Sequence, residues 1–159
     1  MLTRTDYELL IYTLPSRCPA ICLSTLILAP PGLDTARLTG LVAFDDDLVL
    51  CVYELLNFQQ GVIEAYRYEV TRCHPPFTTS PLPEAATYCD ISYPGKEKLY
   101  WYDSWPHPHD LILASTHPHH KHISPDIKHH RIPAPGLSFD RPNLPFLIAE
   151  IERELLSQR

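Results

Sequence analysis

The chain has 159 residues, 45 % hydrophobic and 20 % charged, which fits a single domain with a sizeable core and excludes extensive disorder. A formal net charge of −6 at pH 7 excludes broad, nonspecific affinity for nucleic acid. Proline is over-represented, with 17 copies against 5 glycines, and most follow His74, so the second half is expected to be rich in extended segments and turns.

Residues 5–14 read as a short helix, capped by Thr5 or Asp6 and stopped by Pro15. Four segments rich in β-branched and aliphatic residues follow, at 20–29, 37–45, 48–58 and 62–72. They are separated by Pro30-Pro31-Gly32, Asp45-Asp46-Asp47 and Gln59-Gln60-Gly61, which predicts antiparallel hairpins. The stretch from 74 to 95, with five prolines from Pro75 to Pro94, reads as an exposed insertion. A fifth strand is expected at 97–103, with Leu99, Trp101 and Asp103 on one face and Tyr100 and Tyr102 on the other. Proline-punctuated loops then run to about 143. A closing helix at 145–156 places Glu150, Glu152, Arg153 and Glu154 mostly away from its apolar stripe. The expected fold is α+β, an antiparallel sheet of about five strands flanked by a short N-terminal helix and a C-terminal helix.

The apolar run 21–28 is too short to span a bilayer and has no charged leader, so no membrane partner is expected. With five cysteines, an odd number, the chain reads as cytoplasmic with reduced thiols. Cys18, Cys22, Cys73-His74 and Cys89 offer zinc ligands, but at spacings that match no zinc ribbon.

The chemistry concentrates at 103–131, where eight of the nine histidines fall. Imidazole titrates near neutral pH without special tuning, so this density points to proton transfer, phosphate contact or a metal. Asp103 closes the fifth strand and leads into Trp105-Pro106-His107-Pro108-His109, where a carboxylate can orient an imidazole and prolines stiffen the backbone. In an extended His119-His120-Lys121-His122, His120 and His122 share one side while His119 and Lys121 share the other. His107 and His120 are candidates for a general acid–base pair, Lys121 for a phosphate contact, and His119, His122 and His109 for substrate contacts. Glu54, an acid in the apolar stripe of Leu50, Val52 and Leu56, is a candidate base. Tyr68 is a candidate for stacking a nucleobase. The same histidines with Asp103 or Glu54 also suit a divalent transition metal, although no HExxH spacing is present. The plain alternative is a rigid loop of solvated histidines. Phosphate-cradling glycine loops and a Gly-x-Ser-x-Gly elbow are absent from the sequence.

Across nearly its whole length the chain resembles the TumE family of small prokaryotic toxins. The resemblance is carried by Tyr66-Arg67-Tyr68-Glu69, Tyr102-Asp103-Ser104-Trp105-Pro106-His107 and, most specifically, Pro118-His119-His120-Lys121-His122. Glu69 stands where the family commonly has histidine, Ser104 replaces asparagine, and Pro108 separates His107 from His109. The resemblance implies the toxin half of a toxin–antitoxin pair with a helix-turn-helix antitoxin as partner. Small toxins with a helix-flanked sheet are often ribonucleases, an analogy at the level of fold. The expectation is therefore a ribonuclease that needs no cofactor. The alternatives are a metal-dependent hydrolase or metal-binding protein, and a non-catalytic interaction protein.

Overall fold

A computed structural model describes residues 2–30, 32–77 and 79–156 and has an α+β architecture. The elements in order are α1 (Arg4–Arg17), β1 (Ile21–Ser24), β2 (Ile27–Ala29), β3 (Thr35–Phe44), β4 (Leu48–Asn57), β5 (Val62–Cys73), α2 (Ala85–Tyr88), β6 (Lys96–Asp103), β7 (His120–His122), β8 (Arg131–Pro133) and α3 (Leu144–Ile151). The strands form one antiparallel sheet in the order β1-β3-β4-β5-β6-β7-β8, with β2 also paired to β3. The sheet therefore has eight strands rather than about five. No helix among the described residues is long and apolar enough to cross a membrane.

Three long hairpins set the frame. β3 and β4 are joined by Asp45–Asp47, where Asp46 and Asp47 take φ of 60° and 58°, a left-handed region that short acidic side chains tolerate. β4 pairs with β5 and β5 with β6, both over long registers. The expected strand 20–29 is broken in two. At Gly40 on β3, φ is 137° and a Cβ would lie 2.5 Å from the Thr25 carbonyl oxygen, so the edge chain presses onto β3 there and the regular ladder is interrupted between β1 and β2, where Thr25 donates its N–H to the Leu41 carbonyl and accepts the Leu41 N–H at its hydroxyl. A further irregularity lets Val70 pair with Tyr100 while Thr71 pairs with Lys98. Leu99 falls out of the alternation and packs with the core below Tyr100 and Tyr102, whereas Trp101 and Asp103 keep their common face.

The helices differ from expectation in detail. α1 begins earlier, with Thr3 as its cap: the Thr3 hydroxyl accepts from the Asp6 N–H at 3.2 Å. It also runs past Pro15 to Arg17, because a proline in the last turn forfeits only one main-chain hydrogen bond. Its stripe of Tyr7, Ile11 and Leu14 is buried. α3 ends at Ile151 and continues as one wide turn, Glu152–Leu156. Leu144, Leu147, Ile148 and Ile151 join Tyr7 and Ile11 against Leu50, Val52, Leu56, Tyr68 and Tyr102, which makes this the helix-covered face of the sheet. Glu150, expected outside the apolar stripe, is instead buried in it.

The opposite face holds a smaller core of Leu41, Ala43, Val49, Cys51, Cys73 and Tyr88. Tyr88 comes from the 74–95 segment, is fully buried, and shares a 2.9 Å hydrogen bond with Thr71. The insertion is thus a partial cover for the sheet and not simply exposed. Cys51 and Cys89 form a disulfide that ties it to β4, which overturns the expectation of reduced thiols for these two residues. The zinc grouping is not formed either. Cys89 is spent, Cys18 faces Glu152 and Cys22 faces Asp45.

Candidate functional site

The uncovered part of the second face carries the histidine chemistry. β6 ends at Asp103, and its partner in β7 is His120; Trp101 pairs with His122 and Tyr102 with Lys121. Residues directly opposite in an antiparallel pair project to the same side. Asp103, Trp101, His120 and His122 therefore lie on one side of the sheet, as the alternation expected of His120 and His122 requires; Trp101 and Asp103 line the cleft there, and the two imidazoles are buried beside them. β8 extends the set, since Arg131 lies opposite His122.

His120 and His122 are almost completely buried. His120 Nε2 lies 2.9 Å from Asp103 Oδ1 and 3.1 Å from His122 Nε2, and His122 Nε2 lies 3.7 Å from Asp103 Oδ2. The other ring nitrogens settle the tautomers. His120 Nδ1 is 2.8 Å from the Pro118 carbonyl and His122 Nδ1 is 3.1 Å from the Ile127 carbonyl. A carbonyl only accepts, so each Nδ1 carries its hydrogen. Two Nε2 atoms and a carboxylate oxygen are then left around one point, and they require a shared proton or a cation between them. Burial would raise the Asp103 carboxyl, but hydrogen bonds from His120 and His122 outweigh it and hold it well below the usual carboxylate range. Trp101 stacks on His122 at 3.8 Å between centroids and donates its indole N–H to the Ile127 carbonyl at 3.0 Å, which fixes the ring.

His107 completes the group. The proline-stiffened loop after Asp103 folds back and sets its ring edge-on to His120, with centroids 4.8 Å apart. Its imidazole is pushed toward the neutral form by burial, then by the charges of Arg131 and His120. Asp103, His107 and His120 place one ligand-type atom each within 4.8 Å of one another. Two hollows draw on this loop, one lined by Trp105 and the other by Pro106 and His107. A cleft of about 860 Å³ is lined by Arg67, Glu69, Trp101, Asp103 and Trp105, and a shallower one of about 680 Å³ by His107, His109, Ile112 and Arg131. Glu69 forms the floor of the cleft. It is buried, with Lys96, Arg67 and Lys98 at 2.6, 3.0 and 3.0 Å; burial would raise its carboxyl, but Lys96 and Lys98 outweigh this and hold it low.

The remaining candidates lie elsewhere. Lys121 projects to the helix-covered face, where its ammonium meets Glu150 at 2.9 Å and sits 3.8 Å above the Tyr100 ring. It fastens β7 to α3 and does not reach the His107–His120 pair. Glu54 is fully buried on that same face, accepting hydrogen bonds from Tyr68 (2.5 Å) and Tyr7, while Asn143 donates to Tyr68 at 3.0 Å. Glu54 and Tyr68 thus join the sheet to both helices. Neither a base at Glu54 nor a stacked nucleobase on Tyr68 is compatible with that placement. His119 bonds the Tyr66 hydroxyl at 2.6 Å and packs on Phe139. His109 is exposed on its loop beside the shallow hollow.

The cation beside the site is Arg131, which sequence reasoning reads only as part of a basic turn and ranks below Lys121. It has no ion-pair partner among the described residues, and its Nε is buried without a hydrogen bond. Its signal in the sequence was faint, an arginine at the end of a basic turn in a strand of only three residues.

Comparison with curated proteins and with solved structures gives no match. The family described as Toxin TumE, by contrast, matches residues 24–155, a span that takes in β3 to β8, the whole histidine cluster and α3. With most of its length and all of the clustered site inside that match, the chain belongs to the TumE toxin family.

Proposed function

We propose that this toxin acts by cleaving RNA without a metal, with His107 as general base and His120 as general acid. A neutral His107 takes the proton from a ribose 2′-hydroxyl, and the 2′-oxygen bonds to phosphorus. The bond from phosphorus to the 5′-oxygen breaks, and that oxygen takes the proton held at His120 Nε2. The products are a 2′,3′-cyclic phosphate and a 5′-hydroxyl. The Pro118 carbonyl orients His120 through Nδ1, Asp103 and His122 hold the proton at its Nε2 until it is given up, and Arg131 supplies the charge that stabilises the phosphorane. Trp105 offers an aromatic surface for a base at the rim of the cleft.

The observation that supports this reading is the 4.8 Å approach of the His107 and His120 rings, with Asp103 2.9 Å from His120. Membership of a toxin family implies an antitoxin partner in general. In our reading that partner is a helix-turn-helix protein and the pair works in a prokaryotic cytoplasm.

The test uses untagged protein and a structured RNA in excess EDTA. Cleavage leaving 2′,3′-cyclic ends is expected. His107→Ala and His120→Ala are expected to lose about 10²–10⁴-fold with unchanged circular dichroism. Cleavage abolished by EDTA would instead support a metal-dependent hydrolase. No cleavage under either condition would remove the ribonuclease reading and leave toxicity through binding alone.

A further inference from the structure

We propose that His120, His122 and Asp103, with His107 above them, form a binding site for a divalent transition metal of the zinc class, and that occupancy switches the toxin off. The switching half rests on the ribonuclease reading; the binding half stands apart from it.

The geometry carries the argument. Ligands held tetrahedrally at zinc bond lengths lie about 3.3 Å from one another. His120 Nε2 lies 3.1 Å from His122 Nε2, and the Asp103 carboxylate turns one oxygen to each ring, Oδ1 at 2.9 Å from His120 Nε2 and Oδ2 at 3.7 Å from His122 Nε2, distances that lie close to that value. His107 offers a fourth ligand within 4.8 Å of His120 and Asp103, from a half-buried side chain whose torsions can bring it closer. The outer partners are those of a metal site. Each Nδ1–H is given to a main-chain carbonyl, which turns the Nε2 lone pair inward. His122 is further fixed by its stack on Trp101.

The donor set also sets the class of ion. Three imidazoles and one carboxylate suit zinc, cobalt or nickel, whereas magnesium and calcium favour oxygen ligands. Within the cluster, the single negative charge of Asp103 favours a dication, and Arg131 opposes it in part. Once the Nε2 lone pair of His120 is committed to a metal, that atom holds no proton to give a leaving oxygen. A metal in the site therefore excludes the acid–base chemistry.

The experiment takes untagged protein stripped with EDTA and exchanged into chelator-free buffer, then titrated calorimetrically with zinc chloride. Cobalt(II) absorption serves as a second readout, and Trp101 fluorescence as a third. One zinc per chain is expected, with four-coordinate cobalt bands and no response to magnesium. Asp103→Asn and His107→Ala should weaken zinc binding by at least about tenfold. His129→Ala, at an exposed position paired with Asp126, should leave it unchanged. His120→Ala should abolish it; should that variant misfold, Asp103→Asn and His107→Ala carry the test. Absence of binding, or binding undiminished in Asp103→Asn, overturns the site. RNA cleavage should be lost in the zinc-loaded protein and restored by EDTA. Zinc binding with no cleavage in either form overturns the ribonuclease reading while supporting the site, and cleavage without zinc binding does the reverse. Cleavage by the zinc-loaded form alone overturns the off-switch.

Discussion

Glu54 and Asp103 are both carboxylates in strands of one sheet, and its two faces give them opposite electrostatics. Burial pushes Glu54 up to about 7 against the downward pull of the Tyr68 and Tyr7 hydroxyls. Asp103 keeps its charge because the imidazoles beside it donate to it. The stability consequence of Glu54 follows from the sign of its shift. A carboxyl raised in the folded protein from an ordinary 4.5 holds its proton better folded than unfolded. Its contribution is complete below about pH 4.5 and is lost as pH rises through 7, by at most about 3 kcal/mol. Thermal unfolding of wild type and Glu54→Gln at pH 5, 6, 7 and 8 should show the loss as a wild-type curve that falls relative to the variant as pH rises, while His107 and His119, held toward neutral in the fold, pull both profiles the other way. A difference between the two proteins that stays constant across this window would contradict it. Sequence alone identified Glu54 as an acid in an apolar stripe. It did not identify the tyrosines that hold it, because Tyr7 is 47 positions away and Tyr68 lies across a hairpin.

At the scale of elements, the long strands were legible because each carries many alternating residues and a turn signal at its end. β7 and β8 were not, since three residues are too few to show a period. The alternation of His120 and His122 against Lys121 was nonetheless correct, because parity along an extended chain does not depend on knowing the partner strand. What parity leaves open is which face is covered, and this is why Lys121, on the side away from His120, was still read as a phosphate contact. The insertion was misjudged for a similar reason. Its prolines mark it as outside the sheet, but nothing in its composition reveals that Tyr88 fills a pocket on β3 to β5 or that Cys89 reaches Cys51. The two attachments separate experimentally. Reducing the disulfide, which spans 38 residues of sequence, should lower stability by up to about 4 kcal/mol through loop entropy, read as a drop in melting temperature on adding a thiol reductant. Burial of Tyr88 contributes about 2–3 kcal/mol, so the segment should remain docked after reduction. Rapid proteolysis of the reduced protein within 74–95 would show that Tyr88 does not hold it.

For the whole molecule, the sheet works as a partition. One face is filled by two helices and carries stability; the other is covered at one end by the insertion and open at the other, where the histidines lie. Substrate on the open face should meet Trp105, which is 70 % exposed at the rim of the larger cleft. Trp105→Ala is expected to raise KM for RNA several-fold with a smaller change in kcat, since stacking binds substrate without touching the reacting atoms. An unchanged KM would place the strand elsewhere.

The three-residue length of β7 leaves its register a narrow choice. Its alternation assigns imidazoles to one side and the ammonium to the other, so sliding β7 by one residue against β6 would exchange them. The ammonium would then stand among the imidazoles, and Glu150 would lose its counter-charge. A slide of two residues would restore the original sidedness. The loop from Ser104 to His119 can therefore change in length freely, provided that whatever follows it still sets an imidazole opposite Asp103.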